Sequence, residues 1–365
     1  MASYPGTMAR LAGIDLARAL AIIGMLMVHV GPTHEDDLGG WLYALPHGRA
    51  AILFMLLAGI GVSLLAGARS GWLNGAPARL AWRSAWLLPL GLWLQTLGIS
   101  ALVILPVYAA LFLAAIAVVR LPDRPLLGLA LVLAVMGPFT ALALEMHTPA
   151  IVGGRRLVLG DPAGEILLGL ALEGPYPLIT WAAPFLFGVW LGRRDLRRTA
   201  LRWWCVLGGA GVAGAALGLA AALQAGLGEP GYLVAWDHLL LAAPHSQMPL
   251  WLWSATGTAV AVTGLCLLAA DLAGRWLWPP VAMGQLALTF YVGHLLILAW
   301  RPELRGAASP EEAVPVVLVF ALGGMAIATA WRWLFRRGPL EIVLALPWML
   351  GDYFGPRPAE RGRPA

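Results

Sequence analysis

The chain has 365 residues, of which 60% are hydrophobic and only 12% are charged. A soluble domain carries roughly twice that fraction of charged residues, so the composition excludes an ordinary soluble enzyme. All basic residues are arginines, and the formal net charge is +5. Arginines in the loops of a membrane protein explain this charge, so it does not indicate nucleic-acid binding. We therefore expect a protein that crosses the lipid bilayer several times.

The first apolar run, which follows Arg10, carries three ionisable residues on one side of a predicted helix. At about 100° per residue, Asp15, Arg18 and His29 fall on a single stripe. Charge is expensive inside a membrane, so the stripe should face protein or water rather than lipid. A structural ion pair with an interfacial histidine is the simpler interpretation. The run is not followed by a small-residue cleavage site, which favours a retained helix over a signal peptide.

Further apolar runs are long enough to cross a hydrocarbon core of about 30 Å. They predict an all-α polytopic integral membrane bundle of about ten transmembrane helices, at residues 12–31, 49–67, 79–97, 100–120, 125–145, 176–192, 202–224, 249–270, 278–300 and 313–334. With this arrangement most arginines fall on the side that holds both termini. The positive-inside rule then predicts that the N-terminus and the C-terminus are both cytoplasmic.

The chain is predicted to form one transmembrane domain at residues 10–355, between disordered segments at residues 1–9 and 356–365. The apolar stretch that ends near Phe354 is too short to span comfortably, so we expect it at the inner interface. Gly214-x-x-x-Gly218 and Gly59-x-x-x-Ser63 are predicted to be helix-packing contacts. Cys205 and Cys266 lie inside apolar runs and are not expected to form a disulfide.

All seven histidines map to the outer half of this topology. A neutral imidazole can accept a proton near neutral pH, which makes histidine a common general base. His29 ends the first predicted helix and His294 lies in the ninth, while the others fall in or beside outer loops: His34, His47, His147, His238 and His245. Interfacial loops also favour histidine without catalysis. The spacing matches no ligand motif, so no metal site is predicted.

Four stretches resemble the transmembrane acyltransferase superfamily, which includes bacterial polysaccharide and lipid O-acyltransferases and heparan-α-glucosaminide N-acetyltransferase. Arg10-Leu-x-x-Ile-Asp15-x-x-Arg18, followed by an apolar run to His29, resembles its first-helix signature. Residues 48–59 resemble its second helix, and residues 284–294, which end in Tyr291-x-x-His294, resemble a late helix. Residues 337–341 resemble the C-terminal signature of uncharacterised bacterial membrane proteins in the superfamily.

The resemblance implies transfer of an acyl group, by expectation acetyl, from cytoplasmic acyl-CoA to a hydroxyl or amine at the outer face. The acceptor would be a glycan, a lipid-linked molecule or a small molecule, reached directly or through an acyl-histidine. His29 matches the first-helix histidine of the O-acyltransferases. The heparan enzyme carries its catalytic histidine later in the chain, where the nearest histidines here are His34 and His47. His294 completes the expected catalytic set.

The resemblance also implies which residues serve the acyl-CoA side. The expected phosphate contacts are arginines at the inner side: Arg18, Arg83, Arg120, Arg193 and Arg194. Plain topological charges are the simpler interpretation of these arginines. Asp15, Arg49 and Tyr291 are expected to be structural polar residues. The expected location is the bacterial cell membrane, with the lipid bilayer and the acceptor as partners, while the oligomeric state stays open.

Two other classes of function remain open at this stage. A transporter or exporter would use Asp15, Arg18 and His29 to line a polar path through the membrane. Paired, broken helices in matching halves of the chain, which are typical of transporter repeats, are not evident in the sequence. A non-catalytic membrane scaffold would leave the outer histidines without a chemical role.

Overall fold

The computed structural model describes residues 10–32, 38–67, 75–147 and 156–354, with side chains placed as far as Met349. Every regular element in these ranges is helical. The α-helices are α1 (Ala12–Val30), α2 (Leu38–Ala44), α3 (Arg49–Gly67), α4 (Ala76–Gln95), α5 (Leu105–Val118), α6 (Asp123–His147), α7 (Ala163–Leu168), α8 (Leu178–Leu191), α9 (Thr199–Leu227), α10 (Pro249–Ala273), α11 (Trp278–Gln285), α12 (Ala287–Trp300), α13 (Pro310–Leu334) and α14 (Pro339–Phe354). The prediction of an all-α fold is confirmed for this part of the chain.

Six stretches of the described residues are long and apolar enough to cross a membrane. A seventh is added if α7 and the helical turn after it are taken together with α8, to which they are bent by 69°. Each of the ten predicted spans overlaps a helix, but α5 and α12 are only 14 residues long. The chain is therefore a multi-pass membrane protein. The count of ten spans and the orientation of the termini stay predictions.

Helix α1 lies at the centre of the bundle, where it packs against α3, α10, α11 and α13. Its contact with α11 is close because Gly284 has no side chain. A Cβ atom at Gly284 would overlap the backbone carbonyl of Asp15. Gly59 brings α3 against α8 in the same way, since a Cβ there would overlap the carbonyl of Phe185. The predicted packing role of Gly59 is thus confirmed, and small residues permit close backbone contact as expected.

The prediction for Gly214 and Gly218 is wrong within the chain. Both glycines lie on the exposed face of α9, and a Cβ atom at either would meet nothing within 4 Å among the described residues. Helix α9 packs through its other face, where Gly209 approaches the backbone of Gly257 in α10. The sequence pattern identified a helix with small residues on several faces but not the face that forms the contact. Cys205 and Cys266 are buried and free, as expected.

The ninth predicted span, residues 278–300, is a broken helix. Helix α11 ends at Gln285, Leu286 leaves the helical conformation, and α12 begins at Ala287. The break leaves backbone N–H groups without a partner in the helix. The carboxylate of Glu341 accepts hydrogen bonds from two of them, the N–H of Leu288 at 2.8 Å and the N–H of Thr289 at 3.1 Å. The Thr289 hydroxyl donates to the same carboxylate at 2.6 Å. Glu341 of α14 therefore caps α12 from outside, as non-helical backbone inside a membrane protein requires.

Candidate functional site

A basic cavity of about 420 Å³ lies between α1, α3, α4, α5 and the C-terminal part of the chain. This volume is within the usual range for small-molecule sites. Its lining includes six arginines, which are Arg10, Arg18, Arg79, Arg83, Arg336 and Arg337. Among the described lining residues, Glu341 supplies the one carboxylate. Because guanidinium groups form strong hydrogen bonds with phosphate and carboxylate oxygens, the cavity suits an anionic ligand.

Asp15 anchors two of these arginines at the cavity. Its side chain is 1% exposed and accepts a hydrogen bond from Arg18 Nη1 at 2.8 Å. Arg10 donates to the same carboxylate at 2.5 Å through Nε and at 3.0 Å through Nη2. The structure thus confirms the pairing of Asp15 with Arg18 and adds Arg10 as a second cation. Since a buried carboxylate must be paired, the pairing also fixes where both guanidinium groups sit.

Three polar atoms of the cavity wall are buried and have no hydrogen-bond partner in the described part of the chain. They are Nε of Arg83, Oη of Tyr108 and Oε1 of Gln285. Buried polar atoms in folded proteins are nearly always hydrogen-bonded. Such a group of unsatisfied atoms around one space points to water or a ligand with complementary donors and acceptors. The cationic Arg83 and the phenol of Tyr108 favour a ligand that accepts hydrogen bonds.

Helix α14 closes one side of the cavity with Glu341, Leu344 and Ala345. Helix α4 holds α14 in place, because the indole of Trp82 donates to the carbonyl of Val343 at 3.1 Å. The guanidinium of Arg79 also lies 4.4 Å from the ring centre of Trp348, within cation–π range. The apolar C-terminal segment that the sequence predicted at an interface is therefore a wall of the cavity.

Tyr291 forms part of the cavity wall. Its ring contacts Phe54 of α3 edge-on, with 6.5 Å between ring centres, and its hydroxyl accepts the backbone N–H of Ile104 at 3.1 Å. Tyr291, Phe54 and Ile104 all line the cavity. His294 lies one helical turn further along α12, and its ring centre is 5.4 Å from that of Tyr291. A single aromatic ring thus separates the basic cavity from the histidine.

His29 and His294 are hydrogen-bonded to each other, although 265 positions separate them in the sequence. Nδ1 of His29 lies 3.0 Å from Nε2 of His294, and the two ring planes differ by 12°. Nδ1 of His294 lies 3.1 Å from the carbonyl oxygen of Phe290. His294 is 5% exposed, and His29 is partly buried. His29 therefore faces the interior of the bundle. A histidine that takes part in chemistry must face protein or water in this way, because a side chain that faces lipid could not reach a polar substrate.

A second cluster surrounds His245, in the loop between α9 and α10. Its ring lies 5.8 Å from Trp181 and 5.9 Å from Trp251, both at a tilt of 27°. Gln247 fixes the loop by accepting hydrogen bonds from the indole of Trp181 at 2.7 Å and the hydroxyl of Thr180 at 3.1 Å. His245 and Gln247 both have positive φ, at 59° and 63°. This is strained for residues other than glycine, and such strain often occurs at functional sites.

Burial within these aromatic rings, together with electrostatic repulsion from His47, lowers the pKa of His245 to about 4. His47 and His245 are also both within electrostatic range of His29. The four histidines His29, His47, His245 and His294 therefore lie close enough to interact electrostatically. That all seven histidines lie on the outer side of the membrane stays a prediction.

The structure separates the other predicted site residues into two groups. Arg18, Arg83 and Tyr291 line the cavity. Arg120 is exposed at the end of α5, and Arg193 and Arg194 both bind Asp123, at 2.8 Å and 2.6 Å. These three arginines lie outside the cavity lining, which favours their interpretation as topological charges. His34 falls outside the described residues.

Arg49 lies at the start of α3, away from the cavity lining, where Nη1 is 3.4 Å from the carbonyl of Leu45. Sequence reasoning missed several residues that the structure places in the cavity, chiefly Arg79, Tyr108, Gln285 and Glu341. The C-terminal motif at residues 337–341 was the available signal. It contains both a cavity arginine, Arg337, and the carboxylate that caps α12.

The described residues contain no group of three or more histidine, cysteine or acidic side chains arranged to hold a metal ion. The fold and the site define a multi-pass membrane protein with a basic cavity beside a hydrogen-bonded histidine pair. Residues 190–348 match the model of a family described as a protein of unknown function (DUF418). This match covers α9 to α13 and most of α14, and it includes His294 and Glu341. A search of curated proteins found no match.

Proposed function

We propose that the protein is a membrane-bound acyltransferase that takes an acyl group, by expectation acetyl, from acyl-CoA. One observation carries the proposal: Tyr291 lies in the wall of a cavity lined by six arginines, and its ring contacts His294 of the His29–His294 pair. Acyl-CoA combines several phosphate charges with a reactive thioester, so it needs a cationic pocket followed by an acid–base group. The sequence motifs that resemble the transmembrane acyltransferases fall on this same arrangement.

The cavity arginines would hold the phosphates of the substrate. Arg83 and Tyr108 both line this space, and each has a buried atom without a partner among the described residues. The chemistry of these groups fits a polyphosphate better than a neutral ligand, because the cavity lining carries more arginines than carboxylates.

His29 would act on the acceptor. Its neutral imidazole would take the proton of an acceptor hydroxyl or amine while the oxygen or nitrogen attacks the thioester carbonyl. The carbon–sulfur bond then breaks, and the proton passes to the leaving thiolate, giving the acylated acceptor and free CoA. An alternative order places the acyl group on His29 first. In either order the acyl chain has to pass Tyr291, because this ring lines the cavity and contacts His294.

Binding of acetyl-CoA to the purified protein tests the cavity assignment directly. Arg83→Gln removes a cavity guanidinium, so the affinity for acetyl-CoA should fall about tenfold or more, as expected for a lost charge-assisted hydrogen bond. Arg120→Gln is the matched control, because Arg120 is exposed and lies outside the cavity. Equilibrium dialysis with labelled acetyl-CoA measures the affinity of the wild type and of both variants. Unmeasurable binding by the wild type, or equal loss in both variants, would exclude the cavity as the acyl-CoA site.

An exporter is the second candidate, because α11 and α12 form a broken helix of the kind found at transporter substrate sites. In its favour, the bent pair α7–α8 is a second discontinuity. Against a polar path, the carboxylate of Asp15 is already held by two arginines. Flux of an anionic solute in proteoliposomes without acyl-CoA would support export, and its absence together with acyl-CoA turnover would support the acyltransferase.

A further inference from the structure

The geometry of the histidine pair determines which nitrogen atoms carry protons. The ring centres lie 5.3 Å apart with nearly parallel planes, yet two ring nitrogens are only 3.0 Å apart. That nitrogen distance is about as short as two imidazole rings at this separation allow. Both nitrogens must therefore lie on the line between the ring centres. The rings meet edge to edge through a hydrogen bond rather than face to face.

The carbonyl of Phe290 fixes the direction of this hydrogen bond. A carbonyl oxygen only accepts, so Nδ1 of His294, 3.1 Å away, must carry a proton. In a neutral imidazole the other nitrogen then has the lone pair, so Nε2 of His294 is an acceptor. Nδ1 of His29 must donate to it. The proton of His29 is therefore on Nδ1, and its lone pair is on Nε2.

We propose that His294 is a positioning residue that holds His29 in the tautomer with a free lone pair on Nε2. This inference rests on the proposed function for its chemical role, but the tautomer itself does not depend on acyl transfer. Nε2 of His29 would be the atom that takes the acceptor proton. When it does so, the resulting imidazolium keeps its Nδ1–H hydrogen bond to His294, which stabilises the charge.

A neutral partner suits a site inside a membrane. In soluble hydrolases a carboxylate commonly orients the catalytic histidine. A carboxylate at this position would need its own compensating cation in a low-dielectric surrounding. His294 orients the ring without adding a permanent charge. Its own proton is held by the backbone of the helix that carries it, so the arrangement needs no further side chain.

Nitrogen-15 NMR of histidine-labelled protein in lipid bilayers tests the tautomer without any activity assay. The signals of His29 are identified by their loss in His29→Asn. We expect a protonated Nδ1 and an unprotonated Nε2 for His29 in the wild type at neutral pH. His294→Leu removes the acceptor, so the proton should move to Nε2 of His29 in a large part of the population. A proton on Nε2 in the wild type would overturn the proposal.

Two further variants separate positioning from packing. His294→Gln offers an amide oxygen near the same place, so it should keep the wild-type tautomer of His29. His147→Leu is the control, because His147 is exposed at the end of α6 and should leave these signals unchanged. If His294→Leu does not fold, the tautomer of His29 in the wild type and in His294→Gln still tests the proposal. An unchanged His29 tautomer in a folded His294→Leu would also overturn the proposal.

Turnover measurements distinguish this inference from the proposed function. If acetyl-CoA is consumed, His294→Leu should lower the turnover number at least tenfold with little change in the KM for acetyl-CoA, and His294→Gln should restore part of it. The expected tautomer without any acyl transfer would refute the proposed function alone. Acyl transfer with a proton on Nε2 of His29 would refute the positioning role alone.

Discussion

Removal of the Glu341 carboxylate should destabilise the broken helix on which the site is built. This carboxylate accepts three hydrogen bonds at the start of α12, from the N–H groups of Leu288 and Thr289 and from the Thr289 hydroxyl. Loss of a helix cap costs about 1 kcal/mol, and hydrogen bonds to a charged acceptor contribute about 1.5–3 kcal/mol each. Water that enters the adjacent cavity should replace part of the hydrogen bonding that the variant loses. We expect Glu341→Ala to lower the free energy of unfolding by about 2–3 kcal/mol.

The two cysteines provide the assay. Cys205 and Cys266 are free and buried, so a thiol-reactive fluorophore should label them only as the protein unfolds on heating. For a chain of this length, the expected loss corresponds to a fall in Tm of about 2–4 °C. Glu341→Gln keeps one acceptor oxygen and should lie between the alanine variant and the wild type. Glu303→Ala, at an exposed position after α12, is the control and should leave Tm unchanged.

An unchanged Tm in Glu341→Ala would refute the capping role, provided that Glu303→Ala is also unchanged. Equal Tm values for the glutamine and alanine variants would contradict the claim that acceptor oxygens are the important feature. The same three proteins can then be tested for acetyl-CoA binding. Since Glu341 is the one carboxylate among the described cavity residues, its removal should not weaken the binding of an anion to a folded cavity.

Two further predictions concern packing and pH. Gly284→Leu should prevent α1 and α11 from packing, because a side chain there overlaps the Asp15 carbonyl. Gel filtration should show that this variant aggregates, whereas the control Gly218→Ala, on an open face of α9, should remain monodisperse. Thermal stability should fall as the pH is lowered from 6.5 towards 4, because unfolded His245 binds a proton that the folded ring, with its pKa lowered to about 4, does not. His245→Phe should flatten this dependence relative to His147→Phe, and equal slopes in the two variants would contradict it.

The apolar runs predicted nearly every long helix, because a membrane imposes a minimum length of apolar sequence that is easy to recognise. The stripe on the first helix also predicted the Asp15–Arg18 pair, since residues three apart on a helix are neighbours. The break at Leu286 was not predictable from hydropathy. It depends on a hydrogen bond that the backbone N–H of Leu288 donates to Glu341, more than 50 positions later, and the local sequence does not reveal that partner.

The candidate site was predictable in kind but not in detail. The predicted topology assigned all seven histidines to the outer half of the membrane. The resemblance then selected His29 and His294, which are in contact in the structure. The arginines were harder to assign. Topological and ligand-binding arginines have the same sequence signature, so Arg193 and Arg194 could not be told apart from Arg83 before their partners were known. The face of α9 that packs was equally hard to predict, because small residues occur on its exposed face as well as on its buried face.

Release of CoA thiol from acetyl-CoA by the purified protein in lipid vesicles tests the central claim most directly, since it needs no knowledge of the acceptor when water or an added alcohol can serve. The wild type should release thiol, and His29→Ala should reduce the rate at least a hundredfold, as expected for a general base or nucleophile. His147→Ala should behave as the wild type. Equal thiol release by the wild type and His29→Ala would contradict the assignment of the histidine pair as the catalytic centre.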